Sequence, residues 1–213
     1  DFNFEKEKLS ALAIIHGFDI DPIALELCRI TLVYLSCFKS INMAVKAFSL
    51  LQNNIRCTDA LAFQEDNGSY QIILGNPPYA KLSADLKTKY YPYYSCIDAG
   101  DIYPLFVEQG LRWLAADGAL ALIVPLSIVF SKKLQQLRRL LFSPGLRLSL
   151  ANFDNIPSSI FIAGKPEHAD TNRANSQRAT IIIAQRSTGP LHINATDLLR
   201  WRSKERARLF HNT

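Results

Sequence analysis

Residues 70–79 read YQIILGNPPY and join a short apolar run to a rigid polar loop. The apolar run predicts a β-strand, and the two prolines that follow it fix the backbone φ angle and remove two amide donors. Pro77 also keeps Asn76 out of the helical region of backbone space. The loop therefore presents a side-chain amide, free carbonyl groups and one aromatic ring at the carboxyl end of a strand.

These groups suit the activation of a planar amino group. The nitrogen of an aromatic amine is a weak nucleophile, because its lone pair is delocalised into the ring. Two acceptors that take its hydrogens favour a tetrahedral, nucleophilic nitrogen, and the Asn76 side-chain oxygen and the Pro77 carbonyl are the candidate acceptors. Tyr79 is a candidate for stacking on the ring. An ordinary proline-rich turn is the alternative, but such a turn requires neither the strand nor the tyrosine.

A second strand end lies upstream, where residues 14–22 read IIHGFDIDP. The apolar part predicts a short buried strand, Asp21 is a good helix N-cap, and Pro22 suits the first helical position. In doubly wound folds, an acid at the end of the second strand binds both ribose hydroxyls of a nucleoside cofactor. Asp19 is the candidate for this role, with helix capping as its alternative. The helix expected over residues 22–38 carries a row of side chains at helical spacing: Ile23, Leu27, Ile30, Thr31 and Tyr34.

Another acid follows the short strand predicted at Ile55-Arg56-Cys57. At this strand end, Asp59 is a candidate acceptor for the amino group of a cofactor adenine. A solvated aspartate in a turn explains the same residue equally well, so both interpretations remain open.

The composition is that of a globular protein with a mild basic charge. The chain has 213 residues, of which 48% are hydrophobic, and its net charge is +5. It contains no apolar run of membrane-spanning length, and its charged first residues do not resemble a signal peptide, so we expect a cytoplasmic protein without a membrane partner. The cysteines have no C-x-x-C or metal spacing, which indicates reduced structural thiols and no metal site. The basic charge permits a nucleic-acid partner.

The remainder of the chain alternates helices and strands. The segments expected are a helix at 101–116, a strand at 120–124, a basic helix at 131–142, strands at 146–153 and 179–185, and an arginine-rich helix at 201–210. The fold class is therefore α/β, with a doubly wound, mostly parallel sheet and a C-terminal antiparallel hairpin. Residues 81–100 are rich in tyrosine and lysine, which suits either a mobile loop over nucleic acid or a packing loop. The basic helix is explained by a solvated face as well as by phosphate contact.

Together these motifs resemble the S-adenosylmethionine-dependent, adenine-specific DNA methyltransferases of the gamma type, as found in type IIG and related restriction-modification and phage-defence systems. The resemblance covers residues 12–186 and is carried by Gly17–Pro22, Thr58–Leu61, Ile73–Tyr79, Asp101–Tyr103, Gly118–Pro125 and Asn152–Phe161. It implies a class I, Rossmann-like fold and methyl transfer from S-adenosylmethionine to the exocyclic amino group of a flipped adenine in double-stranded DNA. Methyltransferases acting on RNA bases or on protein glutamine share the Asn-Pro-Pro-Tyr motif and remain alternatives.

On the cofactor side, the resemblance implies three residue roles. Asp19 would bind the cofactor ribose, Ile20 would line the adenine pocket, and Asp59 would accept a hydrogen bond from the cofactor adenine amino group. No metal ion takes part in this chemistry.

On the target side, the resemblance implies that Asn76 and Pro77 accept hydrogen bonds from the target adenine amino group. Tyr79 would stack on the flipped base, and Phe161 would close the sandwich from the other face. This stacking would offset the few kcal/mol that base flipping costs.

One family feature has no counterpart, because the chain contains no glycine pair of the G-x-G type. We therefore expect residues 1–187 to form an incomplete methyltransferase catalytic domain, and residues 188–213 a basic tail leading to a missing downstream region. A target-recognition domain or a fused nuclease would lie outside this chain. Such a fragment is expected to be inactive alone, and a catalytically inactive DNA-binding fragment is the non-enzymatic alternative.

Overall fold

The computed structural model describes residues 2–63, 67–161 and 177–209. The chain divides into two compact units, residues 1–64 and residues 65–213. Among the helices in these described ranges, none is both long enough and apolar enough to cross a lipid bilayer.

The first unit combines three helices with a two-stranded parallel sheet. Its elements are α1 Phe2–Ala13, β1 Gly17–Asp19, α2 Pro22–Leu35, α3 Ile41–Asn54 and β2 Ile55–Cys57. Asp19 lies opposite Cys57 in the parallel register, and the Thr58 amide donates to the Asp19 carbonyl oxygen over 2.9 Å. Both strands therefore end at the same edge of the small sheet.

The start of α2 confirms the predicted helix signal. Asp21 is the N-cap, and its carboxylate accepts a hydrogen bond of 2.8 Å from the Ile23 amide. Pro22 occupies the first helical turn, where its missing N–H leaves no intrahelical bond unmade. The local sequence is thus sufficient to place this helix start.

One burial prediction for this unit is wrong. The strand expected to be buried from Ile14 begins at Gly17, and Ile14 is 81% exposed. The row of side chains at helical spacing on α2 is exposed as well, with Ile23 at 70% and Tyr34 at 78%. Helix α2 instead buries Leu25 in a small core, because the helix packs on α3, β1 and β2. The core residues are Leu12, Leu25, Ala47, Leu51 and Ile55.

The second unit is built on a five-stranded sheet in the order β3-β4-β6-β5-β7. Its elements are β3 Tyr70–Gly75, α4 Ala84–Tyr90, α5 Tyr103–Trp113, β4 Leu114–Pro125, α6 Gln135–Leu141, β5 Leu146–Phe153, β6 Ala179–Arg186 and β7 His192–Leu199. Strand β3 pairs in parallel with β4, and β5 with β7, whereas β6 runs antiparallel to both of its neighbours. The predicted mostly parallel sheet with an antiparallel hairpin is confirmed.

Strand β4 is a largely buried interior strand of this sheet, between β3 and β6. Leu120 and Val124 are fully buried on it, as expected for a strand with a neighbour on each side. The backbone of β3 lies close to Gly118 on β4. A Cβ atom at Gly118 would lie 2.9 Å from the Tyr70 carbonyl oxygen and 3.0 Å from that of Gln71. Only glycine fits this approach without moving the backbone of β3.

The C-terminal region differs from the expected basic tail. Residues 192–199 form β7, which pairs with β5 because its backbone amides and carbonyls complete the hydrogen bonds of that edge. The helix expected at 201–210 is a 3₁₀ helix at Ser203–Arg208, and Trp201 before it is buried.

Two other helices differ from their expected extent. Helix α5 ends at Trp113, where β4 begins directly. The basic helix divides into a 3₁₀ turn at Lys132–Leu134 and the short α6.

Candidate functional site

The loop at residues 76–79 follows β3 at the carboxyl edge of the larger sheet. Pro77 is buried, whereas the Asn76 side chain is exposed. The Tyr79 hydroxyl lies 2.8 Å from Asn76 Oδ1 and 3.0 Å from the Ile123 carbonyl oxygen. Since β3 and β4 are parallel, this hydroxyl connects the loop to the neighbouring strand at the same edge.

The Tyr79 hydroxyl also orients the Asn76 amide. Burial raises the pKa of Tyr79 to about 12, and the nearby Tyr103 phenol adds to the rise. The hydroxyl therefore keeps its single proton at neutral pH and can donate it either to Asn76 Oδ1 or to the Ile123 carbonyl oxygen. An amide oxygen has two lone pairs, so Asn76 Oδ1 can accept this bond and one more.

The Tyr79 ring lies between two other aromatic rings. The Tyr103 ring is 6.3 Å away at an interplanar angle of 80°, and the Phe161 ring is 6.1 Å away at 69°. Both are edge-on contacts of the kind that aromatic pairs favour. Tyr103 is held in turn, since its hydroxyl is 3.3 Å from Ser127 Oγ. Burial raises the pKa of Tyr103 to about 12.

Tyr79 and Phe161 touch directly and do not form an open sandwich. A base stacked between two parallel rings needs them roughly 7 Å apart, because each carbon contact takes about 3.5 Å. Here the rings meet edge to face, with no parallel slot between them. Insertion of a base would require the two rings to separate and rotate.

The end of the loop is tied to the start of α5. The Ile102 amide donates to the Ala80 carbonyl oxygen over 3.0 Å, and Lys81 forms an isolated antiparallel bridge with Asp101. The same two side chains form an ion pair of 2.6 Å. These contacts place Tyr103 one residue beyond the connection, directly beside Tyr79.

The segment that leads to Phe161 is anchored by Asp154 at the end of β5. This carboxylate is buried and accepts hydrogen bonds of 2.9 Å from Arg178 and 2.8 Å from Arg200. Burial alone would raise the pKa of Asp154, but the bonds from Arg200 and Arg178 outweigh it and lower the pKa to about 2. The anchor joins β5 to the beginning of β6 and to the residue after β7.

The C-terminal 3₁₀ helix holds the same segment from its other side. The Arg206 guanidinium donates to the carbonyl oxygens of Ser159, over 3.4 Å, and Ile160, over 2.6 Å. The hydroxyls of Ser158 and Ser203 lie 2.9 Å apart. Sequence reasoning missed these residues, because a side chain that binds distant carbonyl groups leaves no local pattern. The arginine-rich run was the only signal of them.

The cofactor-side candidates belong to the first unit. The Asp19 carboxylate is exposed and accepts a hydrogen bond of 2.9 Å from the Asp21 amide. The Asp59 carboxylate accepts one of 3.0 Å from the Leu61 amide. Ile20 is 75% exposed. The register of β1 and β2 brings Asp19 and Asp59 to one edge, where both acids also serve local turns.

The tyrosine-rich segment between the loop and α5 divides into two groups. Tyr90 and Tyr94 are buried against each other, and the Tyr94 hydroxyl donates to Gln109 over 2.7 Å. Tyr91 and Tyr93 are exposed. The packing interpretation therefore accounts for the first pair, and surface contact remains open for the second.

The fold is similar to that of several solved methyltransferases. A Listeria monocytogenes protein described as a class I S-adenosylmethionine-dependent methyltransferase has a TM-score of 0.55 at 13% identity, over 86% of this chain and 49% of that one. The M protein of the type I restriction enzyme EcoKI has a TM-score of 0.54 at 14% identity, over 89% and 37%. The type ISP enzyme LlaGI, solved with a DNA substrate mimic, has a TM-score of 0.53 at 16% identity, over 91% and 19%.

These likenesses establish a class I methyltransferase fold, and this chain spans less than half the length of each of the three proteins. A search of curated protein sequences finds no match. The Eco57I restriction-modification methylase family matches residues 14–158, which is more than half of the chain. The chain therefore belongs to the Eco57I restriction-modification methylase family.

Proposed function

We propose that this chain transfers a methyl group from S-adenosylmethionine to the exocyclic amino nitrogen of a flipped adenine in double-stranded DNA. The observation that carries the proposal is the exposed Asn76 amide, which a half-buried and protonated Tyr79 hydroxyl orients at the carboxyl edge of the sheet. Membership of a restriction-modification methylase family supports DNA as the substrate.

The acceptor pair shapes the nucleophile. Asn76 Oδ1 retains one lone pair beyond its contact with Tyr79, and that lone pair accepts one amino hydrogen of the target base. The Pro77 carbonyl oxygen accepts the other. Both acceptors are fixed by the rigid proline backbone, so they need little reorganisation when the amino nitrogen becomes tetrahedral. Orientation of this kind supplies the catalysis without a covalent enzyme intermediate.

The cofactor-side residues fit a nucleoside. S-adenosylmethionine supplies an electrophilic methyl group when it is bound. Asp19 offers an exposed carboxylate to the two ribose hydroxyls, and Asp59 is an acceptor for the amino group of the cofactor adenine. Ile20 presents an exposed apolar side chain suited to the flat face of that adenine.

The aromatic residues hold the target base. Tyr79 stacks on one face, and Phe161 leaves its edge contact with Tyr79 to cover the other. This stacking takes the place of the base stacking inside the duplex, whose disruption on flipping costs a few kcal/mol. Tyr103 stays beneath Tyr79, so that one wall of the pocket keeps its position while the other moves.

The biological setting follows from the family. We infer a cytoplasmic, adenine-specific enzyme of a restriction-modification or phage-defence system, similar to type IIG enzymes. Residues 1–187 would carry the catalytic functions, and a target-recognition domain or nuclease would be supplied outside this chain. On this proposal the chain alone has little activity, so every assay is designed on the complete gene product that contains it.

Asn76→Ala in the complete gene product tests the proposal. We expect methylation of duplex DNA to fall by at least about 100-fold, because one of the two acceptors for the nucleophile is lost. Cofactor affinity, measured by calorimetry, should stay close to that of the wild type. The measurement is N6-methyladenine in digested DNA by mass spectrometry, and substantial residual methylation by this variant would disprove the role of Asn76.

A substrate panel separates the alternatives. The amide of protein glutamine is also a planar amino group, and amino groups of RNA bases have the same geometry as those of DNA. Duplex DNA, RNA and a glutamine-containing protein substrate are assayed side by side with the wild type. Methylation of RNA or protein in preference to DNA would replace adenine in DNA as the substrate, and binding of DNA without any methyl transfer would support an inactive DNA-binding protein.

A further inference from the structure

One surface of the second unit carries a single sign of charge. The sequence has no acidic residue between Asp117 and Asp154. Within this acid-free stretch, four basic residues fall on the 3₁₀ turn and α6: Lys132, Lys133, Arg138 and Arg139. A solvated helix normally intersperses charges of both signs. This segment has basic residues and no acidic ones, so it differs from an ordinary solvated helix face.

These basic residues border a cleft that also contains exposed aromatic rings. The cleft has a volume of about 720 Å³ and is lined by Phe130, Lys132, Gln135, Arg138, Arg139 and Phe142. Phe130 is 70% exposed and Phe142 is 41% exposed. Two large apolar rings beside cations at the surface indicate a partner that is both anionic and partly apolar.

The cations of the cleft have different roles. Arg138 is fixed, because its guanidinium donates over 2.8 Å to the carbonyl oxygens of both Ile128 and Ser131. Lys132, Lys133 and Arg139 are exposed, and no carboxylate in the described part of the chain pairs with them. Their charges are therefore available to an external anion, while Arg138 stiffens the wall behind them.

One end of the cleft begins at the edge of the sheet where the target loop lies. The 3₁₀ turn at Leu126–Val129 continues from the carboxyl end of β4, next to the loop that follows β3. The amides of Phe130 and Ser131 both donate to the Ser127 carbonyl oxygen, and the Ser127 hydroxyl contacts Tyr103. A short, hydrogen-bonded path thus joins the edge of the cleft to the aromatic group around Tyr79.

We propose that this basic cleft binds the phosphate backbone of the DNA duplex next to the target base. The proposal rests on the proposed function in taking DNA as the partner. Lys132, Lys133 and Arg139 contact phosphates, and Phe130 and Phe142 pack against the apolar faces of the sugars. A membrane surface is a poorer fit, since the apolar side chains of α6, Leu137 and Leu141, are buried and cannot enter a lipid layer.

The test is the salt dependence of DNA binding by the complete gene product. Lys132→Gln/Lys133→Gln/Arg139→Gln removes three exposed charges and leaves Arg138 in place. Binding of a fluorescent duplex is measured by anisotropy between about 50 and 200 mM salt. We expect the slope of log K against log salt to become less steep by roughly 2 to 3, since each phosphate contact contributes about 0.9. Affinity at low salt should fall at least about tenfold.

The matched control is Lys39→Gln/Lys46→Gln/Arg147→Gln, which removes the same net charge at exposed positions. Arg147 is at the start of β5, at the opposite edge of the sheet from the carboxyl end of β4. The control should keep the wild-type slope. Equal slopes for the cleft variant and the control would overturn the proposal, as would tight binding of an RNA duplex without binding of DNA.

A second variant and a second readout keep the test independent of folding and of catalysis. Phe130→Ala removes an exposed ring and should weaken DNA binding without changing the salt slope. A less steep slope in this variant would contradict the assignment of the phosphate contacts to Lys132, Lys133 and Arg139. Asn76→Ala should bind DNA with the wild-type slope.

If the wild type transfers no methyl group but the cleft variant still loses DNA binding, the proposed methyl transfer is wrong and the DNA-binding role of the cleft is supported. If the wild type methylates DNA and the cleft variant binds it normally, only the cleft proposal fails.

Discussion

The two units of the chain hold their candidate site residues in different ways. In the first unit, Asp19 and Asp59 are positioned by amides only two residues away along the chain. In the second, Tyr79 is held by its own loop, by a carbonyl on β4 and by a ring at the start of α5. The positions of Asp19 and Asp59, the candidates for cofactor binding, thus depend on local turn geometry. The position of Tyr79, the candidate for stacking on a base, depends on contacts between distant segments.

The two units also differ in their cores. The first has a core cluster of five buried residues beside a two-stranded sheet and leaves apolar side chains of α2 exposed. The second has a larger sheet, in which β4 has a neighbouring strand on each side. We therefore expect a glycine-to-alanine substitution to lower the free energy of unfolding much more in the second unit than in the first. We also expect substitutions in the first unit to affect cofactor binding and substitutions in the second unit to affect catalysis.

The largest effect should come from Gly118→Ala. Its added methyl group would meet two backbone carbonyl oxygens of β3, neither of which can move without breaking the β3–β4 pairing. We expect a loss of about 3 kcal/mol in the free energy of unfolding, measured in urea. Gly17→Ala in the first unit is the control, since its methyl group would lie 3.5 Å from Ile55 in ordinary contact. An equal loss of unfolding free energy in the two variants would contradict the expectation that the second unit tolerates this substitution less well than the first.

A smaller effect is expected from Asp19→Ala on cofactor binding. Loss of a carboxylate that accepts two hydroxyl hydrogen bonds should weaken affinity for S-adenosylmethionine by about 10- to 100-fold, which corresponds to roughly 1.5 to 3 kcal/mol. DNA affinity should be unchanged. Asp21→Asn provides the control, because asparagine still caps α2 and the neighbouring negative charge is lost. An equal effect of both variants would mean that general charge, and not the Asp19 position, governs cofactor affinity.

Tyr79→Phe should have a smaller, purely catalytic effect. The variant keeps the ring for stacking but loses the hydroxyl that orients Asn76 and contacts β4. We expect kcat to fall about tenfold, the size of one neutral hydrogen bond, with little change in KM for DNA. Tyr103→Phe serves for comparison, because its hydroxyl contacts Ser127 and not the acceptor loop. A normal kcat for Tyr79→Phe would show that Asn76 is oriented without the hydroxyl.

The smallest effect concerns Asp154 and pH. The pKa of this carboxyl is lowered in the folded state, so its stabilising contribution is complete above the ordinary value of 3.8 and is lost as the pH falls through about 2. In urea unfolding, the wild type should exceed Asp154→Asn in stability at neutral pH. The difference should shrink as the pH is lowered from about 4. Asp197→Asn on β7, an exposed acid, should show no such convergence. A constant difference across this range would rule out the ion pairs with Arg178 and Arg200 as its source.

The features that were predictable from sequence are those set by neighbouring residues. Asp21 and Pro22 define the start of α2, and the prolines after β3 define the rigid loop. The burial of α2 was not predictable, since Ile23 and Tyr34 have the spacing of a buried stripe but the helix packs through Leu25. Periodicity identifies an apolar face, and only the neighbouring elements determine whether that face is covered.

In the candidate site, the sequence predicts Tyr79 but not the residues that hold it in place. The Asn-Pro-Pro-Tyr pattern marks the residue, but its partners at Ile123 and Tyr103 are brought to it by strand pairing and by the connection between Ala80 and Ile102. The edge-on contact with Phe161 likewise depends on the path of a long segment. The resemblance implied that Tyr79 and Phe161 enclose a flipped base, and it carried no information on the angle between the two rings without the base.

The guanidinium of Arg206 holds the segment that carries Phe161 through its main chain. It binds main-chain oxygens at Ser159 and Ile160, so the segment it holds can change its side chains without losing the support. Arg206 itself lies beyond residues 14–158, the part of the chain shared with the family. The position of Phe161 therefore depends on an arginine outside the family match, and not on the identity of the side chains at Ser159 and Ile160.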